Sequence, residues 1–63
     1  MTIILPAIII LIAPIGTEFY VVRDGYFYKY DEDEDLLWWC HQHREWIELK
    51  KHYPERNELI PIK

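Results

Sequence analysis

The chain has 63 residues and a formal net charge of −4, and 51% of its residues are hydrophobic and 16% aromatic. This length allows one domain with a small core, and the apolar content excludes a disordered tail. The single cysteine excludes an internal disulfide framework, and the negative charge argues against nucleic acid as a partner. We expect a chain this short and this apolar to be completed by lipid or by a larger assembly.

An uncharged apolar segment opens the chain and continues to residue 17. Extended through residue 22 it carries one charge, and as a helix rising ~1.5 Å per residue it would reach ~33 Å, enough to cross a hydrocarbon core of ~30 Å. A proline fits the first helical turn, a second one is expected to kink the helix, and a tyrosine follows at the level of the interface. The segment therefore predicts a transmembrane helix within residues 1–23. The predicted span residues include Ile3, Leu5, Pro6, Ile10, Pro14 and Tyr20.

Two alternatives remain for this segment. Residues 7–13 form an isoleucine-rich run between two prolines, which is typical of a buried strand. Such a strand needs cover on both faces, which is hard to supply in a chain of this size. The apolar length also fits a signal peptide, although no basic residue precedes it and no clear cleavage site follows it.

Residues 18–30 fit either of two structures. Asp24-Gly25 is a favoured two-residue turn, so the segment can form a hairpin. The cross-strand pairs would then be Val22 with Phe27 and Tyr20 with Lys29. The alternative is that the membrane helix ends here, with Gly25 as its C-terminal stop.

Five consecutive acidic residues occupy positions 31–35. Their spacing lacks the glycine and the distal glutamate of a calcium-binding loop. Acidic side chains are favourable at a helix N-terminus, where they interact with the helix dipole. We therefore expect residues 24–34 to form a solvated acidic linker that leads into a helix.

Apolar side chains recur at the three- and four-residue spacing of a helix face between residues 35 and 53. This spacing predicts an amphipathic helix over 35–53, followed by an extended tail over 54–63. Its tryptophans suit a protein surface, so we expect this face to dock on a partner. The predicted docking face consists of Leu36, Trp39, Cys40, His43, Trp46, Ile47 and Tyr53.

No arrangement of residues that performs chemistry is visible in the sequence. Cys40, His41 and His43 lie close together, but a structural zinc site requires four ligands with paired spacings. The two glycines cannot form a glycine-rich phosphate loop. The sequence therefore predicts no catalytic residue, no cofactor and no metal site, and the chain is not expected to be an enzyme.

Several residues stand in a recognisable order: Ile4-Leu5-Pro6 and Pro14 in the predicted span, Tyr20 and Arg23 at its exit, and Trp39 followed by Arg44-Glu45. This order resembles the MWFE-type single-span accessory subunit of mitochondrial respiratory complex I. Two departures are the opening Met1-Thr2-Ile3-Ile4 and the acidic run 31–35, which stands where that family has a basic loop.

This resemblance implies a non-catalytic accessory subunit that stabilises the membrane arm of NADH:ubiquinone oxidoreductase in the respiratory electron-transport chain. The implied partners are other subunits of that complex and the lipid bilayer. The implied location is the mitochondrial inner membrane, with the C-terminal part in the intermembrane space. The distribution of Lys and Arg weakly favours the opposite orientation, because all of them follow the predicted span.

The predicted fold class is therefore all-α membrane, with one transmembrane helix, one amphipathic helix and an extended tail. The alternative is a small soluble α+β module of order βββαβ, in which residues 7–13, 18–23 and 26–30 form a sheet that packs on the helix 35–53. In that alternative the acidic surface mimics nucleic acid or binds a basic partner, as inhibitors from viruses and mobile elements do.

Overall fold

The computed structural model describes residues 5–62 and shows a five-stranded antiparallel sheet with one short helix. The strand order in the sheet is β4-β3-β2-β1-β5. The elements in chain order are α1 (Ala7–Ile12), β1 (Phe19–Val21), β2 (Tyr26–Tyr30), β3 (Leu36–Cys40), β4 (Glu45–Glu48), a single 3₁₀ turn (Arg56–Glu58) and β5 (Ile60–Pro61).

The N-terminal segment forms only a six-residue helix, because a proline bounds it at each end. Pro6 takes the N-cap position, and Ala13 adopts an extended conformation with φ −62° and ψ 133°. A residue that precedes proline is driven out of the helical region by steric clash, and Ala13 precedes Pro14. After Pro14 the chain turns, with the Thr17 N–H and hydroxyl both donating to the Pro14 carbonyl.

The predicted transmembrane helix is therefore wrong. Among residues 5–62 no helix combines the length and the apolar content needed to cross a bilayer. Of the predicted span residues, Leu5, Pro6, Ile10 and Pro14 lie in or beside the short helix and Tyr20 lies in β1, whereas Ile3 is outside the described residues. The same finding overturns the all-α membrane fold class and the inner-membrane localisation, both of which depended on that helix.

The segment 18–30 forms a hairpin, as one of the two interpretations expected, but in a different register. The loop between β1 and β2 covers residues 22–25 and is closed by the Gly25 N–H, which donates to the Val21 carbonyl at 2.8 Å. Gly25 adopts φ +74°, a left-handed conformation that glycine reaches without steric cost. Because the loop has four residues rather than two, Tyr20 pairs with Phe27 and not with Lys29.

A second hairpin replaces the amphipathic helix predicted over 35–53. β3 and β4 pair antiparallel around the loop 41–44, with Trp39 opposite Trp46. These two residues are seven positions apart, so they would also share one face of a helix after two turns. Tryptophan and isoleucine pack well on the pleated surface of a sheet and are not strong helix formers, so the composition favours strands here.

The core lies on one face of the sheet. Val21, Tyr28 and Leu36 are buried there, and Leu49 and Leu59 from the C-terminal segment pack against them. On the opposite face Phe27 is 1% exposed, and its ring lies beside the rings of Tyr20 and His41. Phe27 and β2 lie within the range 24–34, which was predicted as an acidic linker.

The small α+β alternative agrees better with this structure than the membrane fold does. Its hairpin within residues 18–30 is present, and the C-terminal tail supplies an edge strand. Its other two elements are exchanged, because residues 7–12 are helical and residues 36–48 form a hairpin.

Candidate functional site

An open cleft of about 610 Å³ lies beside the core, between the turn that joins β2 to β3 and the C-terminal segment. A smaller depression of about 310 Å³ continues from it toward Tyr53 and Pro54, so the two form one elongated groove. The cleft is lined by Phe19, Tyr30, Glu34, Arg56 and Leu59.

The floor of the cleft is apolar and aromatic. The rings of Phe19 and Tyr30 pack edge to face, with their centroids 5.8 Å apart and their planes at 85°. Both side chains lie on the core face of the sheet, since Phe19 pairs with Tyr28 and Tyr30 is two residues further along the same strand. Leu59 packs on the core from the other side. A ligand in this cleft would therefore meet a fixed hydrophobic surface.

The rim of the cleft on the β2–β3 side is the acidic turn 31–35. Oδ1 of Asp31 accepts hydrogen bonds from the N–H groups of Asp33 at 2.8 Å and Asp35 at 2.9 Å. Glu34 adopts φ +65° at the point where the turn closes, and this residue lines the cleft. The acidic run is thus an ordered turn, where a solvated linker was expected.

A further carboxylate lies close to the floor. The Tyr30 N–H donates to Oε1 of Glu18 at 2.7 Å, so this carboxylate takes the place of a backbone acceptor beside β2. Arg56 is the one basic side chain among the residues that line the cleft in the described part of the chain. The lining itself holds one acidic and one basic residue, and the excess negative charge comes from the rest of the turn 31–35 and from Glu18 beside it.

Three carboxylates of the acidic turn lie close enough to share a cation. One ligand oxygen each from Asp31, Asp33 and Asp35 lies within 4.8 Å of the others. Oxygen ligands of this kind suit Ca²⁺ or Mg²⁺, but those ions require six or more ligands. Asp31 Oδ1 already accepts two backbone N–H groups, and we assign no ion to this turn.

The predicted docking face does not exist as one surface. Three of its members lie on the core face of the sheet, two on the opposite face, and the other two outside the strands. Trp39 and Trp46 meet across β3 and β4, with ring centroids 5.3 Å apart. The core-face members are Leu36, Cys40 and Ile47, and the members outside the strands are His43 in the loop 41–44 and Tyr53 in the C-terminal segment.

Several residues of the short N-terminal helix and the turn after it are exposed although they are apolar. Leu11 is 79% exposed and Ile15 is fully exposed. Contiguous exposed apolar side chains are typical of contact surfaces. This segment is therefore a second surface to which a partner could bind, and it carries no charge to indicate which partner.

Tyr28 connects the core to the β1–β2 loop. Its hydroxyl donates to Oδ2 of Asp24 at 2.6 Å, and Oδ1 of the same carboxylate accepts the Tyr26 N–H. Burial of the phenol, and then its hydrogen bond to Asp24, raise the pKa of Tyr28 above its ordinary value of about 10. The neutral phenol is therefore the form that the folded chain stabilises.

This pKa shift predicts a loss of stability at high pH. The unfolded chain releases the Tyr28 proton once the pH passes about 10, whereas the folded chain retains it, so the free energy of unfolding falls as the pH rises further. We expect urea titrations between pH 8 and pH 11 to show this fall, and the variant Tyr28→Phe to show a smaller one. Equal falls in the two proteins would contradict the assignment.

The residues of the cleft were not identified from the sequence, although part of the signal was present. Alternation along β1 and β2 places Phe19 and Tyr30 on one face once the hairpin register is known. Arg56 and Leu59 reach the cleft through the path of the C-terminal segment, for which the sequence has no local pattern.

Comparisons with models of protein families, with curated proteins and with solved structures found no match to this chain. The resemblance to the MWFE-type accessory subunit stays a prediction, and the cleft is the feature from which a function can be argued.

Proposed function

We propose that this chain is a binding module without catalytic activity, which holds a basic, extended segment of another protein in the cleft. The observation that carries this proposal is the apolar floor formed by Phe19, Tyr30 and Leu59 beneath an acidic rim. The groove is open and elongated, which suits a chain segment better than a compact small molecule.

Lysine and arginine side chains match both parts of this cleft. Their aliphatic stems pack on apolar surface while the charged group stays in water. Here the stem would lie on the rings of Phe19 and Tyr30, and the charged group would face Glu34. Rim ion pairs of this kind are each worth about 0–1 kcal/mol, so they contribute mainly to the partner's charge preference and association rate.

Arg56 has a different role in this proposal. Arg56 lines the same cleft, so its positive charge would repel a basic side chain placed beside it. The fixed donors of a guanidinium suit carbonyl and carboxylate oxygens. We place the backbone carbonyls of the bound segment next to Arg56, and the basic side chains of that segment next to the acidic turn.

This proposal follows the alternative drawn from the sequence, in which an acidic module binds a basic partner. The accessory subunit of NADH:ubiquinone oxidoreductase was predicted to be anchored by a helix that residues 5–62 do not form. The cleft adds to the alternative a position for the partner and a preference for apolar contact beneath the charges.

The test is a fluorescence anisotropy titration of the full chain with labelled nonapeptides. We expect a peptide of alternating lysine and leucine to bind at low ionic strength, and one of alternating glutamate and leucine to bind at least about tenfold more weakly. Raising the salt concentration from 0.05 M to 0.5 M should weaken binding of the lysine peptide, because the rim charges are exposed to solvent.

A matched pair of variants distinguishes binding at the cleft from a general effect of the protein's net charge. Glu34→Lys reverses a charge at the cleft, and Glu45→Lys makes the same change on an exposed residue of β4. We expect Glu34→Lys to weaken binding of the lysine peptide about five- to tenfold and Glu45→Lys to weaken it less than twofold. Equal weakening by both variants, or equal affinity for the two peptides, would overturn the proposal.

A further inference from the structure

The two edges of the sheet differ in how well they are protected. β5 has two residues and includes Pro61, which has no N–H to offer. β4 has four residues and contains no proline. Short strands and prolines are common devices against unwanted pairing at an edge. By these criteria β4 is the edge that remains open to another strand.

The hydrogen-bonding pattern shows which groups of β4 are available. The Leu49 N–H donates to the Leu36 carbonyl, so these two residues form a hydrogen-bonded pair. Bonded and non-bonded pairs alternate along an antiparallel hairpin, and the next bonded pair is therefore Trp38 with Ile47. The backbone groups of Trp46 and Glu48 consequently point away from β3. Within residues 5–62 no hydrogen bond is formed to them.

A row of aromatic rings crosses the sheet on the face opposite the core and ends at this edge. Tyr20 packs on Phe27 with ring centroids 5.2 Å apart, and Trp39 packs on Trp46 at 5.3 Å. Nζ of Lys29 lies 4.9 Å from the centre of the Trp46 ring. Trp46 is half-buried at the end of the row, so its outer edge has no further ring to pack against in the described chain.

We propose that β4 pairs antiparallel with β4 of a second copy of this chain, about a two-fold axis at Trp46. The two Trp46 residues then face each other and the aromatic row continues into the second copy. Arg44, the last residue of the loop 41–44, has φ +53° and its N–H donates to the Cys40 carbonyl, so its backbone does not extend β4. Its long side chain lies near enough to the edge to meet Glu48 of the second copy, and the axis generates this ion pair twice. Opposite charges at facing positions stabilise a pair of strands.

The charges select this register over its neighbours. An axis at Ile47 would bring Arg44 opposite Lys50 of the second copy, and an axis at Glu48 would bring two carboxylates face to face. Like charges directly opposite one another are destabilising. A basic residue just before β4, an aromatic residue within it and an acidic residue at its end are self-complementary under a two-fold axis, which is the commonest symmetry of homo-oligomers.

Sedimentation equilibrium of the full chain tests the pairing. We expect a species of twice the 7.8 kDa chain mass. Arg44→Glu and Glu48→Arg each place like charges opposite one another, so each should raise the dissociation constant about tenfold or more. The double variant Arg44→Glu/Glu48→Arg restores opposite charges in the reverse order, and we expect it to return within about threefold of the original dissociation constant.

The control is Lys51→Glu, which reverses an exposed charge outside β4 and should leave the dissociation constant within about twofold. Circular dichroism of each variant establishes that it is folded. A monomer at about 1 mM chain, or a double variant no better than the single ones, would overturn the proposal. The dimer and the cleft are independent, because no residue of β4 is among those that line the cleft.

Discussion

Phe27→Ala is expected to remove about half or more of the free energy of unfolding at 25 °C. Phe27 is 1% exposed, and removing a buried phenyl ring costs about 3–5 kcal/mol through lost burial and the cavity that remains. A chain of 63 residues has a total free energy of unfolding of only about 3–9 kcal/mol. Circular dichroism and urea titration measure both the loss of sheet signal and the change in free energy.

Two further variants keep this experiment quantitative. Phe27→Leu retains most of the side-chain volume and should cost no more than about 1.5 kcal/mol, so the protein stays folded enough for a full titration. Tyr53→Ala removes an aromatic ring that is 59% exposed, together with one hydrogen bond from its hydroxyl to the Leu49 carbonyl, and should cost about 0.5–1.5 kcal/mol. If Phe27→Ala lowers the free energy of unfolding no more than Tyr53→Ala does, then Phe27 is not part of a packed core. Residues 24–34 would then behave as the linker predicted from the sequence.

The first hairpin shows what a local sequence signal predicts and what it leaves open. Asp24-Gly25 marks a turn between two aromatic runs, and that turn exists. The register depends on the loop length, which the signal does not specify, because Gly25 can occupy the second position of a two-residue loop or the last position of a four-residue loop. The structure uses the second option, and each residue of β1 therefore faces a partner two positions earlier than expected.

The second hairpin could not be distinguished from a helix by spacing alone. Residues that face each other across a short hairpin can lie three or seven positions apart, and these spacings also recur along one helix face. Trp38 and Trp39 are both partly buried because the sheet has side chains packed on both faces, which removes the simple alternation of a half-exposed strand. Composition was the better guide, since aromatic residues are enriched in strands.

The cleft could not be predicted from the sequence, for a different reason. Phe19 and Tyr30 follow from the sheet register, but Arg56 and Leu59 depend on how the C-terminal segment crosses the core. That path is set by contacts made only in the folded chain, such as the packing of Leu59 on the core and the pairing of Ile60 with Tyr20. The acidic run was visible in the sequence, and its position beside an aromatic floor was not.

Val21→Ala and Val22→Ala make the same chemical change one residue apart, and we expect very different results. Val21 is fully buried in the core, whereas Val22 is 60% exposed in the loop after β1. Removing buried methyl groups costs about 0.8 kcal/mol per carbon plus a cavity term, so Val21→Ala should lower the free energy of unfolding by about 2–3 kcal/mol. Val22→Ala should change it by no more than about 0.5 kcal/mol.

This pair also decides between the sheet and the helix that was predicted to contain both valines. In an apolar span over residues 1–23 the two positions would be nearly equivalent, because each would lie near the same end of the helix. In the sheet they differ because β1 ends at Val21, with its side chain in the core, and the chain leaves the sheet at Val22. Equal losses in urea titrations of the two variants would contradict the strand, and a difference of about 2 kcal/mol would place Val21 in the core.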